Sequence, residues 1–154
     1  MQIRKASVDD AAPLTALLQE IGWFELLNKE TLAAATRRVK SQLEHCLADG
    51  SHSIFVAETA DGVTAGYVSV HWLPYLFLPG PEGFVSELFV RDAARGQGIG
   101  RRLLQTVEAE ARTRGCSRLA VINFRNRESY QRRFYVKLGW AERVDAANFI
   151  YPIF

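Results

Sequence analysis

The residues best placed to do chemistry are Arg95-Gly96-Gln97-Gly98-Ile99-Gly100, where three glycines occupy five positions. Glycine tolerates positive φ and allows close approach, so such a loop can turn several backbone N–H groups toward one point. A strand-like run, Phe84 to Val90, enters the loop, and a strongly periodic helix pattern leaves it. That helix start adds unpaired amides and the positive end of a dipole. The chemistry is phosphate binding, and the layout predicts a diphosphate. Arg101 stands where G-x-G-x-x-G requires its third glycine, and no G-x-x-x-x-G-K-[ST] loop occurs. The common dinucleotide and ATPase loops are therefore disfavoured. A plain tight turn is the alternative, but it leaves the helix start and the flanking Arg95 and Arg101 without a role.

The remaining elements must position this loop. Ser7-Val-Asp-Asp10 predicts an N-cap, followed by a helix with Leu14, Leu17, Leu18 and Ile21 on one face up to Gly22. A second helical pattern runs from Glu30 to Leu47, with Trp23 and Phe24 in the connection as core contacts or part of a binding wall. Ser53–Thr59 and Val63–Trp72 favour strands, joined at Asp61-Gly62 as a hairpin. Leu73 to Gly83 carries three prolines among apolar residues, and reads either as a lid on the core or as a pocket wall. Ile99, Leu103, Leu104, Val107 and Ala111 form the buried stripe of the helix after the loop, stopped at Gly115. Leu119–Ile122 then reads as a central strand, completing a βαβ unit with phosphate binding at the first strand's C-terminal end. Arg125 to Gly139 is a last helix capped near Asn126, and strand-like runs follow over Trp140–Val144 and Phe149–Phe154.

A length of 154 residues with 48% hydrophobic and 23% charged residues fits one soluble domain, residues 1–154, with a core of its own. Nineteen basic residues against seventeen acidic ones give a net charge of +2, too balanced to argue for nucleic acid. No apolar run approaches a membrane span or a signal peptide, so the expected location is cytoplasmic, with no membrane partner. His45, His52 and His71 share no metal-like spacing, and no metal is expected. Cys46 and Cys116 read as plain thiols. Arg125, Arg127, Arg132, Arg133 and Lys137 spread over more than one helix face, which favours a solvated surface over a nucleic-acid site.

Val90-Arg-Asp-Ala-Ala-Arg95-Gly-Gln-Gly98-Ile-Gly100 resembles the acetyl-CoA signature of the GNAT N-acetyltransferases, and the resemblance extends in element order from Ile3-Arg4 to Gly139-Trp140. It implies an α/β (α+β) fold: a mixed, twisted sheet of six to seven strands, splayed after the strand ending near Val90, flanked by about four helices. It implies acetyl-CoA as co-substrate, with the backbone of Leu88, Phe89 and Val90 along the pantetheine. The pyrophosphate falls to Arg95, Gly96, Gln97, Gly98, Ile99, Gly100 and Arg101, and Asn126 is counted among the cofactor-binding residues. Tyr135 matches the family's tyrosine, which protonates the departing sulfur. A phenol of pKa about 10 can serve a thiol of pKa about 8.5 at modest cost; otherwise Tyr135 is a core aromatic.

Glu87 occupies a position where some family members carry a general base. An alkylammonium of pKa about 10.4 must lose a proton before attack, and a carboxylate acting through water provides a route. Glu87 as an ion-pair partner is the competing reading. The expected activity is N-acetyl transfer to a primary amine of a small molecule or peptide by direct attack in a ternary complex. A CoA-binding module without catalysis, used in sensing or assembly, is the alternative. Trp23, Phe24, Trp72, Tyr75 and Phe77 are candidate walls for the acceptor, and the apolar terminal strands make a homodimer plausible.

Overall fold

Alternating and continuous apolar runs build the sheet at the centre of the computed structural model, which describes residues 1–153. Strands β1 (Gln2–Lys5), β2 (His52–Glu58), β3 (Thr64–Leu73), β4 (Glu82–Val90) and β5 (Arg118–Val121) lie side by side in chain order. The first four pair antiparallel, and β5 runs parallel to β4. A parallel pair needs a long crossover, which here carries a helix over Ile99–Thr113.

Three helices precede β2: α1 (Ala11–Ile21), α2 (Glu25–Lys29) and α3 (Leu32–Leu47). Leu14 and Leu17 of α1 and Leu43 of α3 bury themselves with Ile54, Val56 and Tyr67 of the sheet. On β3, Val68 and Val70 alternate with Tyr67 and Ser69 and are also fully buried, so neither face of this strand meets solvent. α4 (Ile99–Thr113) packs against β2, β3 and β4, and its five expected stripe residues are all buried. At about 1.5–3 kcal/mol for each buried aliphatic side chain, this stripe fixes where the helix begins and therefore where the glycine loop stands.

Arg4 ties β1 to the entry of α1. Its guanidinium meets the Asp10 carboxylate at 2.9 and 2.8 Å and Glu58 at 3.1 and 2.8 Å. Asp10 also accepts the Ser7 N–H at 2.7 Å, closing a capping box around the 3-10 turn Val8–Asp10. Hydrogen bonding from Arg4 holds the Asp10 carboxyl below its ordinary range. Its stabilisation is thus complete above the unfolded value of about 3.9 and is lost as pH falls through the lower folded value. Asp10→Ala leaves Arg4 paired with Glu58 alone and opens the cap, and is expected to cost about 1–2 kcal/mol in chemical unfolding at neutral pH. A loss under about 0.5 kcal/mol would mean that the pair holds nothing together.

The described residues form two compact units, Met1–Ile122 and the residues from Asn123 onward. The sheet and α1 to α4 make up the first. In the second, the expected single helix is two separate turns, α5 (Glu128–Gln131) and α6 (Phe134–Lys137). Arg133 between them has φ 57°, which ends the regular ladder. Neither turn buries a residue, and a helix without a buried face has little to extend it. Arg127 rather than Asn126 caps α5.

The strands expected over Trp140–Val144 and Phe149–Phe154 are absent among the described residues, and Phe154 lies outside them. Among the described residues the sheet therefore has five strands rather than six or seven, and the α-helices number six rather than about four. Phe149, Ile150, Tyr151 and Ile153 favour strands but stay exposed, because propensity alone supplies no ladder partner and Pro152 has no N–H to donate. In the Pro-rich connection after β3, expected as a lid or a pocket wall, Leu76 and Phe77 face solvent.

Candidate active site

β4 is paired along both edges only in its first half. Against β3 the pairing extends from Leu73↔Glu82 to Gly66↔Val90, whereas against β5 it stops at Val85↔Val121. The backbone from Ser86 to Val90 therefore presents a free edge on the β5 side. The β3–β4 register also shifts here: Ser69 pairs with Glu87 and Val70 with Val85, leaving Ser86 as the extra residue of a bulge. Bulge and parting coincide at one point of the strand.

The free edge leads into the glycine loop. After a 3-10 turn, Asp92–Ala94, Gly96 and Gly98 both have φ 75°, and Gly98 caps α4. These angles turn the loop and suit glycine alone. A Cβ at either position would meet nothing within 4 Å, so the loop faces open space. Arg95 pairs with Asp92 at 2.9 Å, and Arg101 is exposed on the first turn of α4. The loop and α4's start thus have positive-φ glycines immediately ahead of a long helix's N-terminus.

A cavity of about 420 Å³ lies between the sheet and α1, α2 and α3. Its walls are largely apolar, with Leu14, Leu18, Phe24, Leu27, Val39 and Leu43 among them. The sheet contributes its polar end: Tyr67, Ser69 and His71 from β3, Ser86 and Glu87 from β4. Glu87 keeps accessible surface where it lines the cavity and is crowded by protein atoms elsewhere. That desolvation pushes its carboxyl above the ordinary range, while the neighbouring Tyr67 hydroxyl, within hydrogen-bonding reach, pulls the other way. Burial likewise raises the Tyr67 phenol well above its usual value, with Glu87's charge adding to it. Tyr67 thus stays a donor to the carboxylate.

His71 Nε2 and the Ser86 hydroxyl stand 2.9 Å apart, and the His52 and His71 rings meet at 4.1 Å between centroids. Burial first, and then His52, lowers the His71 pKa. Phe89 of β4 packs edge-on against Trp23 and Phe24, at 5.8 and 5.5 Å. Of the aromatics expected to wall an acceptor pocket, only Phe24 lines this cavity. Trp72 is buried with its indole N–H on Ser53 Oγ at 3.0 Å, and Tyr75 and Phe77 pack on each other in the exposed loop.

Tyr135 and Asn126 belong to the second unit. Tyr135 is half-buried, edge-on to Phe134 at 5.0 Å and to Trp140 at 5.6 Å, and burial pushes its phenol up to about 12. Asn126 is exposed. Also in this unit, Arg125 and Tyr130 converge on Glu142, at 2.9 and 3.0 Å, which occupies part of the basic patch with an internal ion pair.

Within the first unit, the structure brings Glu87, Leu88, Phe89 and Val90 onto one free strand edge and gathers Arg95 to Arg101 at the start of α4. Sequence reasoning missed Tyr67, Ser69 and Ser86 and undervalued His71. A signal was present: Tyr67, Ser69 and His71 are two residues apart in a buried strand, which puts three polar groups on one face. The bulge at Ser86 has no comparable mark. Among the described residues, no group of His, Cys, Asp and Glu could hold a metal ion, and no helix is long and apolar enough to cross a membrane. Cys46 and Cys116 are free thiols.

A family model described as the acetyltransferase (GNAT) family matches residues 21–140. An aminoglycoside N(6')-acetyltransferase type 1 of Stenotrophomonas maltophilia is 37% identical over 83 residues, spanning 51% of this chain and only 54% of that protein. The thialysine N-epsilon-acetyltransferase of Mus musculus is 30% identical over 136 residues, covering 80% of this chain and 75% of that one. Among solved structures, a ribosomal-protein-alanine N-acetyltransferase from Brucella melitensis superposes with a TM-score of 0.74 at 22% identity, over 99% of this chain and 100% of the other. With a matched segment covering most of its length, the chain belongs to the GNAT acetyltransferase family.

Proposed function

We propose that the chain transfers the acetyl group of acetyl-CoA to a primary amine of a small molecule or peptide, with both substrates bound together. One observation supports this above others: the cavity's polar end, Ser86 and Glu87, follows directly on Val85, the last β4 residue paired with β5. An acceptor in the cavity and an acyl arm along the free edge would share one stretch of strand. The chain's residues fit acetyl-CoA on two counts. Positive-φ glycines open on free space at a long helix's N-terminus, and five consecutive residues of β4 offer unpaired backbone to an extended arm.

In this reading the amides from Arg95 to Arg101 hold the pyrophosphate, with the exposed Arg101 side chain offering charge-assisted contacts and Arg95, paired with Asp92, beside it. Backbone groups of Leu88, Phe89 and Val90 align the arm, and Asn126 adds a polar contact. Acetyl-CoA supplies an activated acyl carbon and a thiol leaving group. Glu87 takes one proton from the incoming ammonium, directly or through water, and passes it to solvent. The C–N bond forms as the C–S bond breaks, and Tyr135 gives its proton to the sulfur. The nitrogen's second proton reloads the phenol by way of solvent. Amide and CoA thiol leave, with one proton released overall.

The loop's part is testable by itself. Gly98→Val forces a β-branched side chain into a left-handed conformation, at a cost of about 1–2 kcal/mol, and displaces the amides above α4. Calorimetric titration with CoA is expected to show saturable binding by the native chain and about tenfold weaker binding by the variant. Equal affinity in the two would remove the loop from the donor site.

A further inference from the structure

On the strength of the acetyl-transfer reading, we infer that the acceptor is a primary amine with a single positive charge and an apolar body, of the arylalkylamine type, rather than a polyamine or an aminoglycoside. The cavity holds about 420 Å³. Its largely apolar walls suit a ring or short aliphatic body, and the sheet's polar groups Tyr67, Ser69, His71, Ser86 and Glu87 gather at one end.

Charge points the same way. Glu87 is the one carboxylate among the residues lining the cavity, and Arg38 is the one cation. Arg38 already pairs with Glu30, at 2.8 and 3.2 Å, and would repel a second ammonium. One ammonium is well served: its three N–H donors can be shared between Glu87, the Ser69 hydroxyl opposite it in register, and Ser86 beside it. A further ammonium would find no second carboxylate among the lining residues. The buried Tyr67 hydroxyl, within hydrogen-bonding reach of Glu87, anchors the carboxylate from the β3 side.

The test is calorimetric titration of the full chain, with and without saturating CoA, using phenethylamine, phenethyl alcohol, spermidine and kanamycin. Phenethylamine is expected to bind at least tenfold more tightly than the other three, the neutral alcohol separating charge from shape and spermidine separating charge number from bulk. Glu87→Gln, checked for native thermal unfolding, is expected to weaken phenethylamine about tenfold or more. Comparable or tighter binding of spermidine or kanamycin, equal binding of the alcohol, or no binding of phenethylamine would overturn the inference. Thiol release from acetyl-CoA is followed in parallel. Selective phenethylamine binding without any release would sink acetyl transfer while leaving the monoamine site in place.

Discussion

Tyr135→Phe is expected to lower turnover by about 10²-fold while leaving CoA affinity nearly unchanged. The substitution removes one proton donor and keeps the ring that packs against Phe134 and Trp140. Folding should therefore be preserved, and the loss should appear in kcat. With the phenol pushed up to about 12 by burial, the donor is loaded at every working pH. Native and variant profiles should consequently share the same shape at neutral to moderately alkaline pH, displaced by a constant factor. Near-normal turnover in the variant would leave Tyr135 as a packing residue only.

Glu87→Gln is expected to lower kcat/KM by about 10²-fold at neutral pH. The native carboxyl is raised by desolvation, and a base works in its ionised form. Activity should thus climb with pH through a value above the ordinary carboxylate figure of about 4.3, and it should fall away below that value. In the glutamine variant this acid limb should vanish, leaving a lower profile set by the amine alone. An unchanged limb would assign the base elsewhere; His71, bonded to Ser86 at the same end of the cavity, is the next group to replace.

Much of the fold was legible because local signals agreed with global packing. The α4 stripe, the Ser7–Asp10 cap and the Asp61-Gly62 hairpin each rest on short-range chemistry, and each appears where the sequence put it. The glycine loop was legible for the same reason, since positive φ at Gly96 and Gly98 is a local demand. The C-terminal segment was not. Strand formation there depends on a partner that no local pattern specifies, and apolar residues such as Phe149 and Ile150 remain exposed. The acceptor cavity was only partly legible. Glu87 was legible through the family resemblance, but its contact with Tyr67 crosses from β3 to β4 and depends on a register shifted by the Ser86 bulge. Trp72, a plausible pocket wall by composition, instead fills the core beneath Arg114.

The most direct test is thiol release from acetyl-CoA by the purified chain across a set of primary amines, with products identified by mass spectrometry. The expected result is amine-dependent release, with free CoA and N-acetylated amine formed in equal amounts. Saturable CoA binding with no amine-dependent release and no acetylated product would contradict acetyl transfer and leave a protein that binds CoA without catalysis.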